Sequence, residues 1–157
     1  MIVIGYPGVG KSYFTKHHPS DIKVIDLESS CFVKNDDWAK SYVNVAIDLS
    51  SQGNCVFISA HNPVRKELIS RNRKDVFAIY PSIEFKDKWL ENLHDRYKKT
   101  KTTEEAGKNY RAWDRAEDYY DKDINGLMED SKFFRDYYVI DRPYSMTEVI
   151  DKFYSEL

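Results

Sequence analysis

The chain has 157 residues, of which 41% are hydrophobic and 32% charged, with a formal net charge of −2. That is the length and composition of one globular domain, 1–157, large enough to bury its own core without a disulfide or metal staple. The balanced charge excludes a global basic field of the kind that coats nucleic acid, and no apolar run reaches the roughly 18 residues that cross a bilayer, so no membrane partner is expected.

Short β-branched runs alternate with longer amphipathic ones, the pattern of an α/β fold with a mostly parallel sheet. Met1–Ile4 is the first expected strand; it has no basic segment ahead of it and stops at Gly5, so a cytoplasmic setting is expected. The loop Gly5–Gly10 feeds a helix from Lys11, which His17-His18-Pro19-Ser20-Asp21 ends. Lys23–Leu27 is the second strand. A helix then runs from Asp36, as N-cap, to Gln52, with Gly53 as its stop. Trp38, Tyr42, Val45, Ala46 and Leu49 give it one apolar face.

Cys55–Ser59 is almost continuously apolar, as a strand covered on both faces should be. Pro63 opens a short helix to Ser70, and Asp75–Tyr80 is a fourth strand ended by Pro81. Phe85, Trp89, Leu93 and Tyr97 recur at helical spacing in the next helix. A lysine-rich turn from Lys98 leads into a long amphipathic stretch to Met128. Tyr137–Ile140 is the fifth strand and Met146–Glu156 a closing helix. Cys31 and Cys55 have neither CxxC nor metal-ligand spacing and read as free, partly buried thiols.

Gly5-Tyr6-Pro7-Gly8-Val9-Gly10-Lys11-Ser12 fits G-x-x-x-x-G-K-[ST] in full, between a strand and a helix as that motif requires. Its glycines let backbone amides converge on phosphate oxygens, and the helix N-terminus adds a field that favours anions. Gly8, Val9, Gly10, Lys11 and Ser12 are therefore expected to hold ATP, with Lys11 reaching the β and γ phosphates and the Ser12 hydroxyl ligating Mg²⁺. Tyr13 and Phe32 either flank the base or pack at the rim.

The other strand ends choose among P-loop proteins. The chain lacks the Asp-x-x-Gly and Asn-Lys-x-Asp segments of a GTPase, and its third strand ends Ile58-Ser59-Ala60-His61, without the acid of an ordinary Walker B. Carboxylates follow the second strand instead, in Asp26-Leu27-Glu28. In an extended segment, side chains two apart point the same way, so Asp26 and Glu28 share a face at the C-terminal edge of the sheet. Asp26 is expected to take a proton from an acceptor hydroxyl or to hold Mg²⁺, and Glu28 to support the metal or contact the acceptor; an acidic turn capping the sheet is the bland alternative. His61 either bonds the γ-phosphate or attacking group or satisfies a neighbouring carbonyl. Lys108, Arg111 and Arg115 share one helical face suited to phosphates, unless that face is merely solvated. Trp113, Ala116, Tyr120, Ile124 and Leu127 form a core-facing stripe, while His17, His18 and His94 are expected on the surface.

These segments together resemble the nucleoside monophosphate kinase group of P-loop proteins, with small phage-type nucleotide kinases nearest in size and pattern. The resemblance implies a three-layer P-loop fold, a five-stranded parallel sheet of order 2-3-1-4-5, and a helical lid after strand 4, at about 98–118 here. It implies transfer of the ATP γ-phosphoryl to a nucleoside monophosphate. Lys11, Asp26, Arg111 and Arg115 would then be catalytic, Arg65 would grip the acceptor phosphate, Arg96 would act as a lid arginine, and Arg142 in Asp141-Arg142-Pro143 would lean against adenine. The chain departs from the group in having no Asp-Gly-Phe-Pro-Arg, Asp-Arg-Tyr or Glu-Arg-Ser segment. Its P-loop also resembles that of polynucleotide kinases, which keeps open a hydroxyl acceptor on a nucleic acid, a modified base or a small metabolite. A nucleotide-binding protein with little turnover is the third alternative, and monomer and homodimer are both compatible.

Overall fold

The structure, a computed structural model, describes residues 1–18 and 21–157; Pro19 and Ser20, in the expected helix-ending stretch, lie outside the described residues. Five strands form one all-parallel sheet: β1 (Ile2–Gly5), β2 (Val24–Asp26), β3 (Cys55–Ser59), β4 (Val76–Pro81) and β5 (Asp136–Ile140). Their order is β2-β3-β1-β4-β5, the expected one. Successive strand residues point to opposite faces, so β1 and β4, buried at every position, are covered on both sides. This is why both read as unbroken apolar runs rather than as alternation. The edge strands β2 and β5 keep partly exposed positions.

Among the described residues, α1 (Lys11–His17), α2 (Trp38–Ser51), α3 (Asn62–Ser70), α4 (Lys86–Lys99) and α5 (Ala106–Asp130) lie between strands, and α6 (Met146–Ser155) follows β5. Among the described residues, no helix is long and apolar enough to cross a membrane.

Several expected details shift. The buried row of α2 is Tyr42, Val43, Ala46 and Ser50, while Val45 is 37% exposed. The N-cap is Asp37, one residue later than expected, and Trp38 and Leu49 are only partly buried against the core. The helix entry is shaped by Asn35, whose Oδ1 accepts the Asp37 amide at 3.1 Å, rather than by a cap at Asp36. Pro81 does not follow the end of β4, as expected, but forms it, opposite Ile140, where a missing amide costs little at the last rung.

The segment expected as a lid is continuous with two packed helices. A turn joins α4 to α5, tied by the Asn109 side-chain amide donating to Thr100 Oγ1 at 2.8 Å. Aromatic rings fill the seam. His94, expected on the surface, stacks on Trp113 at 4.3 Å, and Trp113 also meets Tyr97 and Tyr110, each at 6.0 Å. Trp113 thus packs on α4, whereas Ala116, Tyr120, Ile124 and Leu127 are buried in the core as expected.

Arg65 binds α3 to α5. It is 4% exposed, and its Nε donates to Asp130 Oδ2 at 2.7 Å while Nη1 and Nη2 donate to Ala60 O and Asn62 Oδ1. Lys66 holds the other Asp130 oxygen at 2.6 Å. Gly126 makes room, since a Cβ there would lie 2.7 Å from Arg65 Nη2.

Candidate functional site

The register sets Gly5 beside Ser59 and Asp26 beside Phe57, which brings the C-terminal ends of β1, β2 and β3 to one edge. A cavity of about 890 Å³ opens there. Its floor is the Gly5–Ser12 segment, one wall is the chain after β2 and β3, and the other is the facing side of α4 and α5.

The floor is held in a conformation only its glycines allow: Gly8 and Gly10 have φ of +92° and +101°, where a side chain is strained. Neighbours pin it. Trp89 Nε1 donates to Pro7 O at 2.9 Å, the Tyr144 hydroxyl donates to Val9 O, and the Val9 side chain is buried. The Val9 amide itself reaches Tyr6 O at 3.3 Å. The first-turn amides of α1 lie ahead of the helix's own carbonyls, and its N-cap, Gly10, has no side chain to receive them.

Lys11 Nζ donates back to Gly5 O at 2.7 Å. Burial is the main influence on this amine and pushes its pKa down to about 8; Asp26 and Glu28 oppose the shift, Lys108 and Arg96 add to it. Ser12 Oγ donates to Asp26 Oδ2 at 2.8 Å. A hydroxyl and a carboxylate, both oxygen donors, fit a Mg²⁺ ion that takes its remaining ligands from phosphate and water. Among the described residues there is no cluster of three or more His, Cys, Asp or Glu able to cage a metal alone.

The cationic wall comprises Arg96, Lys108, Arg111 and Arg115. Lys108 crosses the cavity to Glu28 Oε1 at 2.5 Å, so Glu28 is engaged by α5. Both partners are more than a third exposed, and such pairs contribute only about 0–1 kcal/mol, so a phosphate can take over the lysine. Arg115 gives Nε and Nη2 to Asp123 at 2.8 and 2.9 Å. Burial lowers the Arg96 pKa, with Glu105 and Glu28 opposing, and its Nε has no hydrogen-bond partner among the described residues.

His61 stands on the wall after β3. Its Nε2 is 3.4 Å from Ser29 Oγ and its ring lies edge-on to Trp38 at 5.6 Å. Burial, then the charges of Lys34, Arg115 and Lys11, lower its pKa, which favours neutral imidazole at neutral pH. Tyr13 lines the rim, 71% exposed and stacked on His17 at 4.3 Å, and Phe32 lines it while packing edge-on to Tyr42.

Gly8, Gly10, Lys11, Ser12, Tyr13, Asp26, Glu28, His61, Arg96, Arg111 and Arg115 thus share one cavity. Three expected members do not: Val9 is buried behind the loop, its amide reaching Tyr6 O and its carbonyl accepting from Tyr144, and the other two are arginines. Arg65 is drawn away by Asp130, whose buried carboxylate needs a cation. Arg142 does not line the cavity; its side chain is 74% exposed and donates from Nε to Asp141 at 2.8 Å, because the adjacent acid is its nearest partner. Sequence reading missed Lys34, Asn62, Ser59 and Asp123, all of which line the cavity. Asp123 had a legible signal, since it lies two turns from Arg115 on one helical face. No protein-family profile, curated protein or solved structure matches the chain.

Proposed function

We propose that this chain is an ATP-dependent phosphotransferase with a P-loop kinase fold, moving the γ-phosphoryl group of ATP to a (deoxy)nucleoside monophosphate. The observation that carries the reading is the cavity's composition: Lys11 and the Ser12–Asp26 pair on a glycine floor, faced by Arg96, Lys108, Arg111 and Arg115. Its volume, about 890 Å³, lies within the usual range of small-molecule sites. In the transfer, the bond from the γ-phosphorus to the bridging oxygen of ADP breaks as an acceptor oxygen bonds the phosphorus. Such a step asks mostly for positioning and charge neutralisation.

Lys11 leaves Gly5 O to meet the β and γ phosphates. Arg111 and Arg115 neutralise charge on the moving group, and Arg96 reaches the anion with its unpaired nitrogen. Ser12 and Asp26 would hold Mg²⁺, whose chemistry is to screen and orient the phosphate oxygens. His61, Asn62 and Lys34 border the acceptor end in this reading.

A hydroxyl acceptor is the second reading, favoured by the placement of Arg65 outside the cavity: the one arginine assigned to an acceptor phosphate is spent on Asp130. In that case a carboxylate of the Asp26–Glu28 pair takes the hydroxyl proton. A coupled ADP-release assay over nucleoside monophosphates, nucleosides and oligonucleotides with 5′-hydroxyl ends decides between the two. Turnover with a monophosphate supports the first, and turnover with only a hydroxyl acceptor the second. Calorimetry that finds no uptake of magnesium nucleotide, or uptake untouched by Lys11→Ala, removes both.

A further inference from the structure

We infer that Trp89 and Tyr144 are positioning residues of the glycine loop, which turn the Gly8 and Gly10 amides toward a bound triphosphate from outside the cavity. The inference rests on the nucleotide reading above and deepens it by naming what aims the loop. Neither residue lines the cavity. Trp89 stands on α4, 4% exposed, and Tyr144 in the connection from β5 to α6. Each gives its one polar hydrogen to a loop carbonyl: Trp89 Nε1 to Pro7 O at 2.9 Å and the Tyr144 hydroxyl to Val9 O.

Fixing a carbonyl fixes an amide. A peptide unit is planar, and in the trans form the N–H of one residue points opposite to the C=O of the residue before it. Among the described residues every peptide bond is trans. Trp89 therefore sets the direction of the Gly8 amide, and Tyr144 that of the Gly10 amide. Both donors lie outside the cavity that Gly8 and Gly10 line, so the two amides are turned into it. The loop leaves these amides open. Tyr6 O takes the Val9 amide, whereas those of Gly8 and Gly10 have no hydrogen-bond partner among the described residues. Open backbone N–H groups converging in a glycine loop suit phosphate oxygens. Packing holds both donors. The indole lies flush with the bare backbone of Gly8, where a Cβ would come within 3.3 Å of Trp89 Nε1 and 3.1 Å of Leu93 Cδ2. The Tyr144 ring packs on Tyr138 at 5.8 Å, and burial pushes its hydroxyl up to about 12, so it keeps the proton it donates at neutral pH.

The test is NMR on the full chain labelled with ¹⁵N at its six glycines, titrated with Mg²⁺ and a non-hydrolysable ATP analogue. In wild type the Gly8 and Gly10 amide protons should move downfield as they bond phosphate oxygens. Tyr144→Phe, which removes a single oxygen, is expected to diminish the Gly10 displacement at saturation and spare Gly8; Trp89→Phe is expected to do the reverse. Each should weaken affinity by about three- to tenfold, the factor one hydrogen bond carries. A general loosening of the fold would move both resonances alike, so the crossed pattern separates aiming from stability. Responses that match wild type, or that fall equally at Gly8 and Gly10, overturn the assignment. Tyr144→Phe decides alone if Trp89→Phe does not fold. If no glycine of wild type responds, the nucleotide reading fails and this inference with it; the other outcomes bear on Trp89 and Tyr144 alone.

Discussion

Lys11 concentrates the physics of the site in one amine. Its folded pKa of about 8 lies below the ordinary 10.5. Between those values the unfolded chain binds more protons, so the contribution of Lys11 makes folding stability rise with pH across that window. Under the proposed function, nucleotide binding should have the opposite sign. A triphosphate favours the charged amine, so affinity is fully present below about pH 8 and declines above it, by at most about tenfold per unit. Binding at about pH 8.5 should therefore take up a proton, measured as a dependence of the binding heat on buffer ionisation enthalpy; no uptake contradicts the burial of Lys11. Asp26 carries the second prediction. Asp26→Asn can still accept from Ser12, so the fold survives. With a hydroxyl acceptor and Asp26 as base, kcat should drop by about 10²-fold or more, and with a monophosphate acceptor by much less. Cys31 is exposed and Cys55 buried, with burial pushing the Cys55 thiol up to about 12. A thiol reagent should label Cys31 alone in the native protein and both after denaturation.

At the scale of elements, α5 joins site to core. The face carrying Lys108, Arg111 and Arg115 meets the cavity, while Ala116, Tyr120, Ile124 and Leu127 pack inward. Its last turns are locked to α3 through Arg65 and Asp130. Asp130→Ala strands a buried guanidinium and should cost about 3–5 kcal/mol, far more than an exposed pair would. Gly126→Ala drives a methyl toward Arg65 Nη2 and should cost about 1–3 kcal/mol. Urea denaturation measures both, and near-neutral results would show that the α3–α5 junction is not held by this pair. At α6, Ser145 Oγ accepts the Glu148 amide at 3.3 Å, so the Ser-Met-Thr-Glu segment works as a helix cap.

For the whole molecule, the parallel sheet decides where chemistry can occur. Parallel strands end on one edge, and where the connections from β1 and β3 part, a crevice is left. Ligand bound there touches the floor, the segment after β2 and α5 together, so it must stabilise the molecule as a unit. Magnesium nucleotide at about 100 times Kd should add about 2.7 kcal/mol, a melting shift on the order of 5–10 °C for a chain of this length. Lys11→Ala should abolish the shift; a shift that persists would place the nucleotide elsewhere.

The sequence alone determined the sheet and its floor. Short, β-branched apolar runs bounded by turn residues read as strands covered on both faces, and a glycine loop between strand and helix needs no tertiary partner to be recognised. Local chemistry sets both, so β3 was legible residue by residue and β1 and β4 to within one residue at each end. Tertiary structure alone decided which charges reach the cavity. Arg65 and Arg111 look alike in sequence, yet Asp130, 65 residues from Arg65, takes one and leaves the other facing the cavity. Glu28 is claimed by Lys108 from 80 residues away. The reason is physical: backbone pattern is written in neighbours along the chain, whereas the pairing of a long charged side chain depends on whichever counter-charge packing brings within a few ångströms, and burial of that pair decides whether it can be exchanged.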